Sequence, residues 1–425
     1  MSDPVIVSVR ARRVWDSRAL PTVEVEMRTA GGAVGHAIAP AGASRGRLEV
    51  TDRRDGGTVL GGRDVTDAVD AVGEVVAPAL LGHSVLDQGA IDACLDELDP
   101  TPQREQLGGN TTVAVSLAAW HTAAAHVGCP PWQRLGGRAE TMPRPEIQII
   151  GGGAHAARRV DVQDFLVIPM SATTMERALL DVAAVYHAVG ELLAERGLLR
   201  GVADEGGFWP QVAGNEQALS LLVEGIERAG LNPGTDVALS IDVAASEFFE
   251  GDRYRLAADG RELDRDGWLE ELISWVERYP IVAVEDPVEE SDDVGMAAFT
   301  TAVGDRVLVI GDDYLVTRAQ RIERAASLGA GNAALIKVNQ VGTVTAAAAA
   351  VAMGRTHGWT QVVSARSGET EDNSVAHLAV GWDAEMVKVG SIARGERTAK
   401  WNELLRIAET LGNPPLAALG VAEQR

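Results

Sequence analysis

From about residue 146 onward the chain repeats one pattern: a short apolar run ending in a charged or polar side chain, then a helix-length interval. The runs are VALSID with Asp242, PIVAVED with Glu285, VLVIGDD with Asp312, AALIK with Lys337, QVVSARS with Arg366 and Ser367, and EMVK with Lys388. Their endpoints lie 22 to 43 residues apart, room each time for one helix and two loops. Strands alternating with helices build a parallel α/β sheet, and at this number they close into a barrel. The C-terminal ends of barrel strands converge on one mouth, so three carboxylates and two lysines from distant positions would meet there. One carboxylate after a strand is readily a helix cap. Three carboxylates and two lysines on successive strands are hard to obtain from capping.

The first part of the chain reads differently. VIVSVRARRVWD, TVEVEMRTA and GGAVGHAIAP read as successive strands, and helical patterns follow near 65–80, 87–98 and 110–127. Strands followed by helices suggest a small α+β domain. The linker-like GGRAETMPRP (136–145) separates it from the barrel, giving expected domains 1–135 and 136–425.

Among 38 basic residues only Lys337, Lys388 and Lys400 are lysines. Arginine does not give up its proton, whereas a lysine can be tuned into a base; the other reading is three remnants of an arginine-biased composition. Asp242, Glu285 and Asp312 offer the oxygens that Mg²⁺ takes, with no histidine or cysteine among them to favour zinc. Lys337 would then stand near a metal-bound substrate, its pKa depressed by the metal and Lys388, and would remove a weakly acidic C–H proton. Arg366 and Ser367 have the donors of a phosphate site; Arg366 can also be read as a structural ion-pair partner.

A net charge of −23 argues against a nucleic-acid partner, though a metal and a few cations still permit a small anionic substrate. The opening segment lacks the apolar core of a signal peptide, no apolar run is long enough for a bilayer, and Cys94 and Cys129 form no disulfide framework. The expectation is a cytoplasmic protein without membrane partners.

Motif after motif resembles enolase, the family that interconverts 2-phosphoglycerate and phosphoenolpyruvate. DSRALPTVEVE (16–26) and PAGASRG (40–46) resemble its N-terminal signature and metal-binding mobile loop. GGGAHA (151–156), ADEGGF (203–208), IDVAASEFF (241–249), VEDPVEE (284–290), GDDYLVT (311–317), LIKVNQVGT (335–343), RSGETED (366–372) and VKVGSIARGERTAKWNELLRI (387–407) follow in the family's order. The resemblance implies an α/β fold: an N-terminal α+β domain and an enolase-type eight-stranded β/α barrel. It makes Asp242, Glu285 and Asp312 ligands of one Mg²⁺, and puts Ser44 beside a second. Lys337 becomes the base at C2 of the substrate, working through an enediolate-like intermediate, and Lys388 binds the carboxylate. Glu205 and Asp164 attend the leaving hydroxyl, His155 sits beside the phosphate, and Arg366 and Ser367 bind it. A homo-oligomer is also implied.

The departures from the family cluster in the site. Ala365 stands where the family has histidine before its Arg-Ser pair, and Asp164 where it has a glutamate. The mobile loop reads Ser44-Arg45-Gly46 for Ser-Thr-Gly, and Ala157-Arg158-Arg159 replaces Gly-Asn-Lys. Ala19-Leu20 replaces a Gly-Asn pair. Lost imidazole bulk and added Arg45, Arg158 and Arg159 suggest room for a larger or second anionic group, and the sequence resembles in this the enolase-like carboxyphosphonoenolpyruvate synthase of phosphinate antibiotic biosynthesis, a phosphonate-handling relative. The arginines can equally be solvated loop residues. The readings are an altered reaction on a phosphorylated or phosphonylated carboxylic acid, an authentic enolase, and a catalytically inactive binding protein.

Overall fold

The structure, a computed structural model, describes residues 3–156 and 160–420; Arg158 and Arg159 lie outside the described residues. Strands Ile6–Trp15, Pro21–Thr29 and Val34–Ile38 form an antiparallel meander in that order. The expected helices follow: Thr66–Ala71 runs through a π turn into Ala77–Leu80, then come Gln88–Leu98 and Gly109–Val127. The last is apolar on nearly every side, as a helix must be when it is covered all round. It packs on the meander and reaches the barrel segments at Val338–Val341 and Val344–Thr356. Gly128, at φ 73°, ends it in a left-handed cap that a glycine adopts without strain.

Eight strands close the barrel: Arg144–Gly151, Asp164–Pro169, Val237–Asp242, Ile281–Glu285, Leu308–Gly311, Ala333–Ile336, Thr360–Ser364 and Met386–Gly390, the last pairing back onto the first. The expected eight-stranded barrel is present, and one strand departs from the parallel order of the others. Asp164–Pro169 runs antiparallel to both of its neighbours. A parallel return needs a long crossover, usually a helix. Among the described residues, the connection after Gly151 contains only a short 3-10 segment, Gly153–Ala156, so the chain turns straight back. The inversion has a chemical consequence: Asp164 opens its strand yet lies at the same mouth, in register with Asp242.

The barrel strands are buried almost throughout, which explains their near-continuous Val, Ile, Leu and Ala. One apolar cluster runs from Val23 and Val25 of the meander through Val113 and Trp120 to Ile147, Val309 and Trp401, so the two parts share a core. No helix is long and apolar enough to cross a membrane, among the described residues.

Candidate active site

The mouth of the barrel holds a nearly filled cavity of about 20 Å³, roofed by Gly42, Ala43 and Ser44. His155, Asp164, Glu205, Asp242, Lys337, Arg366, Ser367 and Lys388 line it. Glu285 and Asp312 join through the lysines. Lys388 Nζ donates to Asp242 Oδ2 at 2.8 Å and Glu285 Oε2 at 2.6 Å. Lys337 Nζ donates to Asp312 Oδ2 at 2.5 Å. Of the expected site residues, Arg45 is the one described side chain that the fold leaves outside. It is exposed, and its Nη2 donates to the Val50 carbonyl at 2.8 Å, because the loop turns it back along its own backbone.

Electrostatics follow from burial and these pairs. Burial works to lower Lys337, but the Asp312 carboxylate outweighs it and holds the amine above the ordinary lysine value. The expected depression is therefore not produced by the protein's own groups: the nearest charge is a carboxylate, and Arg366 and Lys388 only partly offset it. Lys388 is likewise raised against the pull of burial, by Asp242 and Glu285. Burial, then the neighbouring Asp242, pushes Glu285 well above the carboxylate range. Asp312 is lowered in spite of burial, chiefly by Lys337.

On the opposite wall His155 Nδ1 lies 2.9 Å and 3.1 Å from the two Asp164 oxygens, and its Nε2 lies 3.8 Å from Glu205 Oε1. Burial opposes the charged imidazole, yet Asp164 and Glu205 raise its pKa to about 9. Burial in turn raises Asp164 to about 6, against the pull of His155. The shortened Asp164 is thus kept in place by partners: His155, and Gln148, whose Nε2 donates to its Oδ1.

Arg366 is where its two sequence readings meet. Its guanidinium faces the cavity and is held by Glu49, with Nη1 2.9 Å from Oε2 and Nη2 3.2 Å from Oε1. Nη2 also donates to the Ser44 carbonyl at 2.9 Å. The Ser367 hydroxyl accepts from Ala43 N at 2.6 Å.

Several positioning residues escaped the sequence reading. Glu49 fixes Arg366 from the loop. Asp286 accepts the backbone N–H of Asp312 and Asp313, at 2.9 and 2.7 Å, and so aims the Asp312 loop. Gln340 and Gln163 donate to Asp312 and Asp242. Arg397, fully buried, donates to the carbonyls of Arg366, Val389 and Ser367. Lys400 is buried as well, bonding Thr370 O at 2.6 Å and Glu369 Oε2 at 3.0 Å, and Glu369 accepts from Arg366 N. The third lysine is a structural member of the same assembly. Arg397, Lys400, Asp286 and Gln340 had a visible signal, since they fall in the segments 387–407, 284–290 and 335–343; Gln163, a neutral residue with no characteristic spacing, had none.

The donor set fits a hard divalent cation. Asp242, Glu285 and Asp312 supply only oxygens, and Glu285 Oε1 is buried without a hydrogen-bond partner, a costly condition that a cation would relieve. The three are not drawn into one tight cluster, because the two ammonium groups stand among their oxygens. Ligand atoms within 4.8 Å of one another occur in His155–Asp164–Glu205 and in Asp286–Asp312–Asp313.

Comparison with known proteins agrees with this architecture. Residues 6–135 match the family model "Enolase, N-terminal domain" and residues 139–419 "Enolase, C-terminal TIM barrel domain". The chain is 45% identical to "Enolase 1" of Desulfitobacterium hafniense over 96% of its own length and 94% of that protein's. It is also 45% identical to "Enolase" of Mycobacteroides abscessus, over 96% of this chain and 95% of the other. With both halves matched in order and a barrel mouth carrying paired lysines and carboxylates, the chain is an enzyme of the enolase family.

Proposed function

We propose that the protein is an authentic enolase, dehydrating 2-phosphoglycerate to phosphoenolpyruvate with Mg²⁺ as cofactor. The observation that carries this reading is the pairing of two buried lysines with Asp242, Glu285 and Asp312 under the loop of Ser44. Enolase-family enzymes depend on Mg²⁺, which when bound supplies Lewis-acid stabilisation of charge developing on the substrate carboxylate. Asp242, Glu285 and Asp312 would hold one ion, and Ser44 would serve a second.

Lys337, as the free amine, takes the proton from C2. The electron pair left at C2 forms the C2–C3 double bond as the C3–O bond breaks. The hydroxyl leaves as water with a proton supplied from the Glu205–His155–Asp164 group, whose two carboxylates favour the protonated imidazole. Lys388 holds the substrate carboxylate; Ser367 and Arg366, which Glu49 holds at the cavity, hold the phosphate. The loop excludes water while this happens.

The specialised reading, carboxyphosphonoenolpyruvate synthesis, rests on Ala365, Asp164 and the loop arginines Arg45, Arg158 and Arg159, of which Arg158 and Arg159 lie outside the described residues. The two relatives named above carry the plain name enolase. Arg45 points away from the cavity. A soluble cytoplasmic homo-oligomer acting on this small anion completes the proposal, and sizing in solution tests its assembly.

The experiment is to mix the protein, Mg²⁺ and 2-phosphoglycerate and follow enol-ester absorbance with phosphorus NMR. Mg²⁺-dependent phosphoenolpyruvate formation is expected, and Lys337→Ala should abolish exchange of the C2 hydrogen with solvent. Absence of turnover with Mg²⁺ still bound would overturn the reading and direct attention to phosphonate substrates.

A further inference from the structure

Glu146 is a buried carboxylate for which the chemistry above has no use. It is fully buried on the first barrel strand. Its Oε1 accepts from the Ser240 hydroxyl. Those two strands are not neighbours, since Asp164–Pro169 runs between them, so the bond crosses the barrel interior and both side chains point inward. Ser240 lies two residues before Asp242, on the same face and one layer deeper. Glu146 is also in register with Lys388 on the adjacent strand. Its second oxygen, Oε2, is buried and has no hydrogen-bond partner. Burial raises its pKa, and Lys388 is the first influence working the other way.

Lys388 is committed twice over. Its ammonium group bonds Asp242 and Glu285, the two carboxylates that would ligate a divalent cation. A cation there competes for the same oxygens and repels the ammonium group at close range. A buried lysine stripped of its counter-ions is heavily penalised, so it must find another carboxylate or lose its charge. Asp164 is already taken by His155 and Gln148. Glu146 offers an oxygen that nothing else uses.

We propose that Glu146 is a positioning residue for Lys388, the counter-ion one layer below the pocket that holds the ammonium group when a divalent cation takes Asp242 and Glu285. The inference rests on those carboxylates being cation ligands, as proposed above. Glu146 therefore lets one site hold a metal and a lysine side by side, and its removal makes the lysine compete with the metal.

The test is calorimetric titration of Mg²⁺ into the substrate-free protein, with Glu146→Gln, Lys388→Met and the double variant. Glu146→Gln is expected to weaken Mg²⁺ binding about tenfold, the scale of groups that stand behind metal ligands. In the Lys388→Met background the same change should cost about twofold or less, because the residue it serves is gone. Equal losses in both backgrounds, or no loss in either, would overturn the proposal. Asp242→Asn checks the underlying ligand assignment: unchanged Mg²⁺ affinity there would bring down both readings, whatever Glu146 does. A measurement on the unaltered protein needs no variant to fold. With Lys337, Lys388 and Lys400 the only lysines, side-chain ammonium signals are few enough to follow by NMR. The Lys388 signal should move on adding Mg²⁺ yet stay protected from solvent exchange; loss of protection would overturn the proposal.

Discussion

Ala19 shows how a single residue can carry strain that its neighbours hold in place. It sits at φ 57°, inside the turn closed by Asp16 N to Leu20 O, where the resembled family has glycine. A left-handed conformation costs a residue with a Cβ about 1–2 kcal/mol. Ala19→Gly is thus expected to stabilise the protein by about 1 kcal/mol, less the entropy that glycine adds to the unfolded chain, as read by urea unfolding. A lower stability would mean that the methyl group packs better than its backbone sits. His155 carries a second prediction. Its folded pKa near 9 lies above the ordinary histidine value, so its ion pair stabilises fully below about pH 6.5 and is lost as pH rises through 9. Asp164, raised to about 6, removes stability in an earlier window, as pH climbs from about 4. Stability of the protein without added Mg²⁺ should fall between pH 6.5 and 9, and His155→Gln should flatten that slope. An unchanged slope in the variant would assign the titration elsewhere.

Among the elements, the loop from Pro40 to Val50 matters most. Gly46 N donates to Glu49 Oε1 at 3.2 Å, Arg47 binds Glu290 and Glu289 on the barrel, and Glu49 clasps Arg366. The loop is thereby tied down at both its middle and its end. Gly42 explains why it can lie so low: a Cβ there would stand 1.9 Å from Arg366 Nη2. Gly42→Ala must push the guanidinium aside, and a misplacement of about 1 Å can cost roughly a hundredfold in rate. Its kcat/KM for 2-phosphoglycerate should fall by about that factor while calorimetric Mg²⁺ affinity holds; an unimpaired rate would show that the loop need not close. At this scale the sequence was informative but incomplete. The loop's motif marked it as part of the site, and Ser44 is indeed over the cavity. Arg45 looked equally promising and faces out, because side-chain direction in an irregular loop follows no period. Glu49 had no distinguishing mark, for the carboxylate's importance comes from a partner more than 300 residues away.

For the whole molecule, the strand-and-helix texture made the barrel and the helical N-terminal part legible, since buried strands announce themselves by continuous apolar runs. The direction of Asp164–Pro169 was not legible: a strand's composition is the same whichever way it runs, and only the missing crossover helix decides it. The core was also not divisible by eye. Meander, helices and barrel share one apolar cluster, and the ion pair of Glu49 with Arg366 and the bonds of Asp92 to Thr345 cross between the two parts. Unfolding should accordingly be one transition, with far-UV dichroism and tryptophan fluorescence giving coincident midpoints. Two separated midpoints would show that the N-terminal part melts on its own.

All three lysines lie buried, at 9%, 5% and 0% exposure, so the folded surface offers almost no side-chain amine. Acylating reagents, which ordinarily paint a protein's exterior, would here report on its interior. An adduct at Lys337 would record a moment when the roof of Gly42 to Ser44 had lifted, and an adduct at Lys400 would record unfolding. Mass spectrometry of such adducts over time turns a quirk of composition into a clock for the opening of the pocket.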